Sequence, residues 1–232
     1  MAPEPQTMYV PKFFMRQKIT MMVNQYELLA ANPDGTEGQL LGFAQQKRMA
    51  FKEEVRIYAD RAKTQPVFSF KARKAIDLNA GYDVFDPARQ PLGFFRKDFG
   101  KSLLRSSWHL SGPGLEAFGH ERNQPIAILR RVWDFIPFLG EIWIPFVFHF
   151  DFVDTTSGQV VMTSERKRSI RDRYTVTVPD QRLDFRLAAS MAVALDAPRL
   201  WLVLGDKIGD NAQARIVAEA LGWPFEIKRL VF

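Results

Sequence analysis

A helix with no face left for water constrains this chain more than any other feature. Leu183, Leu187, Ala188, Met191, Ala192, Val193, Ala194 and Leu195 go right around a helical wheel. The uncharged run 187–195 is only about half of the roughly 20 residues that cross a bilayer, so protein must wrap it. Just upstream, Tyr174, Val176 and Val178 recur every second residue, the period of a half-buried strand. Pro179 and Asp180 then turn the chain. A helix enclosed on all sides, behind a chain of strands, predicts a β-barrel with a helical plug over residues 183–197.

The rest of the chain reads as short strands separated by turn signals. Residues 19–29 lead into Asn32-Pro33-Asp34-Gly35, with Pro and Gly where a β-turn needs them. Further strands are predicted at 40–45, 55–59, 67–72, 82–86, 92–97, 107–110, 126–131, 146–153, 160–164 and 174–178. About a dozen strands at this spacing, with almost no helical periodicity before Leu183, define a mainly β, closed-barrel fold. Residues 26–48 and 82–98 share one order: aromatic, turn, Leu-Gly, Phe, basic end. This suggests a duplicated hairpin unit.

Composition narrows the functional classes. The 232 residues contain no cysteine, which removes disulfides, thiolate metal sites and a cysteine nucleophile. The N-terminus lacks the apolar core of a secretion signal, and Pro137, Glu141 and Pro145 interrupt the aromatic run 135–150. A soluble, cytoplasmic protein without a transmembrane segment is expected. His109, His120 and His149 have no metal-ligand spacing. No serine occupies a Gly-x-Ser-x-Gly elbow. Asp151 and Asp154 diverge on a strand, a poor acid–base pair. No catalytic residue and no cofactor are expected.

Net charge is +6 and uneven. Residues 47–74 hold nine Lys/Arg against Glu53, Glu54 and Asp60. A second cluster is Arg166, Lys167, Arg168, Arg171 and Arg173. A third mixes Arg96, Lys97, Lys101 and Arg105 with Phe94, Phe95, Phe99 and Trp108. Basic groups interleaved with aromatics suit phosphates of lipid head groups or of nucleic acid. Arg96, Lys97, Lys101, Arg166, Lys167 and Arg168 are the candidate contacts to an anionic phospholipid surface, with solvated strand faces as the plainer reading.

The plug, its DRYTVTVPD strand and the hairpin YDVFDPARQPLGFFRKDF resemble scramblase-like and LURP-one-related proteins over about residues 8–197. That resemblance implies the tubby C-terminal fold, a twelve-stranded closed barrel around a buried C-terminal helix, and a non-enzymatic, lipid-associated role. In the scramblase branch the segment before the helix is proposed to bind calcium. Asp172 and Asp184 match acidic positions here, with Asp180 a further weak candidate, but Ile170 replaces the first carboxylate, and Arg171 and Arg173 add positive charge. Calcium wants roughly six to eight oxygens, several of them anionic. The sequence therefore favours Asp180 and Asp184 as caps of the helix N-terminus.

Pro198 stops the plug, dividing a barrel over 1–198 from a tail over 199–232. The tail reads as strand (LWLVL), glycine turn, helix 210–221 and strand. Such a turn and helix N-terminus can hold a phosphate, making Gly205, Lys207, Gly209 and Asn211 candidate ligands. The wording from Trp201 to Phe232 resembles the start of a mitochondrial-fission-related family with a glycosyltransferase-B-like fold. The alternative function is thus a fragment of a fusion to an enzyme acting on a nucleotide sugar, although so short a unit cannot bury both faces of a parallel sheet.

Overall fold

The computed structural model describes residues 6–19, 23–47, 54–73, 81–98, 107–122, 149–167, 173–196, 200–204 and 225–229. The strands are β1 (Lys12–Ile19), β2 (Val23–Ala31), β3 (Glu37–Lys47), β4 (Val55–Tyr58), β5 (Pro66–Ala72) and β6 (Tyr82–Phe85). They continue with β7 (Pro91–Asp98), β8 (Ser107–Gly112), β9 (Leu115–Glu121), β10 (His149–Asp154), β11 (Val160–Lys167) and β12 (Arg173–Thr177). Each pairs antiparallel with its sequence neighbour, and β12 returns to β1, closing a twelve-stranded barrel. The register there sets Phe13 opposite Val176 and Met15 opposite Tyr174.

The expected barrel and plug are both present. The helix α1 (Phe185–Leu195) is buried at every residue except Arg186 and Leu195. It fills the lumen against inward side chains that include Phe13, Tyr26, Phe70, Phe95, Leu110, Phe152 and Val176. The Phe185 ring meets Phe13 and Phe68 edge-on, with centroids 5.1 and 6.2 Å away. Each such apolar side chain contributes roughly 1.5–3 kcal/mol by leaving water. The buried Ser190 hydroxyl donates back to the Arg186 carbonyl at 2.8 Å, so it enters the core satisfied.

Two expected strands differ from the observed set. Residues 126–131 and 146–148 lie outside the described residues, and β10 is described from His149. The sequence reading missed β1 and β9. The tail's first and last segments are β13 (Leu200–Leu204) and β14 (Phe225–Arg229), a parallel pair. Its candidate phosphate ligands Gly205, Lys207, Gly209 and Asn211, and the expected helix between the strands, lie outside the described residues.

The meander sends its connections alternately to two ends of the barrel. At one end the turns are tight and aspartate-built. Asp34, Asp60, Asp86, Asp154 and Asp180 each accept a backbone N–H, from Thr36, Thr64, Gln90, Thr156 and Arg182, at 2.7–3.3 Å. A short side chain closing on the backbone a few residues ahead makes the chain reverse at little entropic cost. The Arg182 guanidinium joins two of these turns to the β8–β9 turn, reaching Asp154 and Asp180 at 2.6 Å and the Gly114 carbonyl at 3.1 Å.

The Thr156 N–H and then Arg182 hold the Asp154 carboxyl down to about 2. A depressed carboxyl stabilises the fold above its unfolded value of about 3.9. That contribution fades as pH falls toward the folded value. The expected result is a melting temperature that drops between about pH 5 and pH 2. Asp154→Asn should melt lower than wild type at pH 7 and show a shallower decline, read by circular dichroism across that range. Parallel curves for the two proteins would remove Asp154 from the acid response.

The same end carries the start of the plug. Asp184 is the N-cap: it accepts the Arg186 N–H at 2.8 Å and pairs with the Arg186 guanidinium at 2.7 Å. The N-terminal segment crosses over it. The Met8 N–H donates to Asp184 at 3.0 Å and its carbonyl accepts the Phe185 N–H at 2.7 Å. Tyr9 donates its hydroxyl to the Val178 carbonyl at 3.0 Å. Met8 thus satisfies the Phe185 amide, which would otherwise be orphaned at the helix end. At the far end Tyr174 donates its hydroxyl to Asp196, the C-cap residue.

Candidate functional site

The strand register decides where the basic clusters go. β7 and β11 both end at the second end of the barrel, where β8 and β12 begin. Arg96, Lys97, Arg166 and Lys167 therefore share one rim. Four inter-strand steps of about 4.8 Å separate the two pairs, roughly 19 Å along the sheet. Lys101 and Arg168 belong to the segments joining these strands and lie outside the described residues, as does Asp172.

Within each pair the pleat sends neighbours to opposite faces. Arg96 is exposed on the outside, one strand from His109. Lys97 is half-buried and opposite the buried Trp108, at the mouth of the lumen. Arg166 is likewise inward, opposite Tyr174, while Lys167 is exposed and paired outside with Arg173. The sequence reading treated each dipeptide as one contact. The structure splits both, leaving Arg96 and Lys167 on the outer rim and Lys97 and Arg166 at the mouth.

Partners decide which charges are free to meet an external anion. Among the described residues, Arg96, Lys167 and Arg173 make no ion pair. Of the larger cluster at 47–74, three described arginines are ion-paired. Arg56 binds Glu54 at 3.1 Å, Arg61 binds Glu27 at 2.7 Å and Arg73 binds Asp83 at 2.7 Å. Glu54 also holds Arg89. Beside β11, Arg122 spans Asp151 at 2.6 Å and Glu165 at 2.7 Å. That clamp engages both carboxylates and raises the Arg122 pKa.

Asp184 caps the helix as expected, whereas Asp180 caps the turn before it and not the helix itself. Asp180 is gripped by Arg182 and Asp184 by Arg186, each also accepting backbone N–H groups. Their oxygens face guanidinium, the opposite of a calcium cage. No group of three or more His, Asp or Glu able to hold a metal occurs among the described residues. His109, His120 and His149 sit on the adjacent strands β8, β9 and β10. His109 lies edge-on to Phe118 at 5.0 Å and 3.7 Å from Asp98. Asp151 and Asp154 diverge as expected, the first bound outside to Arg122, the second 3% exposed under the turn.

Two features escaped the sequence reading. One is Phe14, outward on β1 yet only 6% exposed. The other is the recess around it, lined by Lys167, Arg173 and Thr175. The adjacent aromatics Phe13 and Phe14 were the available signal, since a strand must send one of them outward.

A closed meander of twelve antiparallel strands around one buried apolar helix is a tubby C-terminal-like barrel. A family model described as LURP-one-related matches residues 42–196. The match covers more than half of the chain, and the protein belongs to that family. No curated protein matches it. The family match stops at residue 196, so the tail's resemblance to a glycosyltransferase-B-like family gains no support from it. No helix among the described residues is long and apolar enough to cross a membrane.

Proposed function

We propose that this protein is a non-enzymatic barrel of the cytoplasm that adsorbs peripherally on anionic phospholipid surfaces, in the manner of scramblase-like relatives. One observation carries this reading. The two basic pairs, far apart in sequence, end on the same rim, and among the described residues the outward member of each meets no carboxylate. At the opposite end the aspartates are bound into turns, and Arg182 and Arg186 are bound to Asp154, Asp180 and Asp184.

Each basic residue near an anionic leaflet contributes about 1 kcal/mol, and salt weakens it. Sedimentation with phosphatidylserine-containing vesicles should show binding at low ionic strength that disappears in high salt. Arg96→Glu removes one attraction and adds one repulsion at an exposed position. It should weaken the partition about tenfold or more with an unchanged melting temperature. Equal binding to neutral phosphatidylcholine vesicles, or no loss in the variant, would defeat the proposal.

A further inference from the structure

The recess on the barrel's flank differs from the rim in kind. Phe14 forms its floor, and it encloses about 250 Å³. Gly35, Thr36 and Glu37, at the turn joining β2 and β3, border it on one side. Lys167 and Arg173, direct cross-strand partners, border it on the other. Two ammonium groups flank the aromatic floor, with the Lys167 and Lys12 Nζ atoms 5.7 and 5.9 Å from the ring centroid. The carboxylate of Glu37 is bound to Arg16, so it does not neutralise the lysine or Arg173.

Thr175 is opposite Phe14 in the register and lines the recess. It is 9% exposed, and its Oγ1 is buried without a hydrogen-bond partner. A buried hydroxyl left unpaired is unfavourable, and native structures rarely keep one without a purpose. Here it stands among an ammonium, a guanidinium and an aromatic face. A guanidinium fork and an ammonium suit the oxygens of a phosphate dianion. A hydroxyl supplies a further donor, and the ring accepts an apolar stem.

We infer that this recess is a binding site for a phosphate monoester carried on an apolar or aromatic stem. Lys167 and Arg173 stand at the adsorbing rim as well, but Thr175 and Phe14 do not, and Arg96 lies outside the recess, so Arg96→Glu and Thr175→Val test the two readings separately. The shared chemistry has two sources, a soluble organic phosphate and the head group of phosphatidic acid.

Calorimetric titration of the full chain with phenyl phosphate tests the site directly. Binding should be measurable and tighter than that of inorganic phosphate. Arg173→Ala and Lys167→Ala should each weaken it about tenfold. Thr175→Val should weaken it severalfold without lowering the melting temperature. Arg96→Glu, on the rim but outside the recess, should leave it unchanged. A preference for phosphatidic acid over phosphatidylglycerol vesicles that Arg173→Ala abolishes would assign the lipid source. Phenyl phosphate binding without such a preference would assign the soluble one. Absence of phenyl phosphate binding at millimolar concentration, or equal affinity in Arg173→Ala, would overturn the inference. Loss of vesicle binding in Arg96→Glu with phenyl phosphate affinity intact would uphold both the site and the rim.

Discussion

Ala192→Asp should abolish the folded protein. Ala192 is fully buried on the face-less middle of α1 and belongs to the barrel's hydrophobic core cluster. A carboxylate there must either stay charged in a medium that cannot solvate it or take up a proton and stay unpaired. The cost is several kcal/mol or more, against a total stability of about 5–15 kcal/mol for a domain. Expression should shift to the insoluble fraction, and any refolded material should lack a cooperative melt. Ala192→Ser is the matched control. Its hydroxyl can bond back to the carbonyl four residues earlier, as Ser190 does, so it should fold with a modestly lower midpoint. A charged residue tolerated at 192 would mean that the helix is not sheathed by the sheet.

Gly93→Ala is the second large effect, and it enters from the wall instead of the plug. Gly93 has φ +150°, and a methyl group there would stand 2.3 Å from the Ser111 carbonyl oxygen and 2.8 Å from Leu187 of α1. The first contact is backbone of the adjacent strand and cannot swing aside. The second would push the plug off the wall where the helix lies against β7. The register also shifts here, between Val84 and Phe85 of the partner strand. Strain of this kind and overpacking each cost about 1–3 kcal/mol. A loss of about 3 kcal/mol in urea denaturation is expected, with the slope unchanged. A loss below about 1 kcal/mol would show that plug and wall are loosely apposed at that point.

The plug was legible because a helix without a polar side admits few explanations, and the observed α1 falls within the expected range. Most strands were legible for the same reason: in Tyr174, Val176 and Val178 one face is apolar and the other is not. Where the reading failed, the alternation itself was broken by packing. On β1, Phe14 faces outward but is covered, so Phe13, Phe14 and Met15 read as a continuous apolar run with no period. On β9, the inward positions are Leu115, Ala117, Gly119 and Glu121, which thin out toward the rim. Gly119 stands where a large side chain would be expected. The ring of Phe152 occupies that space, and a methyl there would come within 2.3 Å of it. A bulky residue on one strand thus erased the signature of its neighbour, and no local pattern can reveal that. The basic pairs were visible as composition. Their division between rim and lumen was not visible until the pleat was known.

The seam between β1 and β12 has a consequence for how the molecule comes into being. The strand that shuts the cylinder, and the rod that fills it, are the last parts of the domain to leave the ribosome. Throughout roughly ten seconds or more of translation, β1 offers its bare edge to whatever passes, and the oily interior of the growing sheet has nothing to hold. Such edges recruit other strands, and pairings so distant in sequence form slowly. The nascent chain is therefore at its most vulnerable just before it is complete, and the cell must shield it until its final third has emerged.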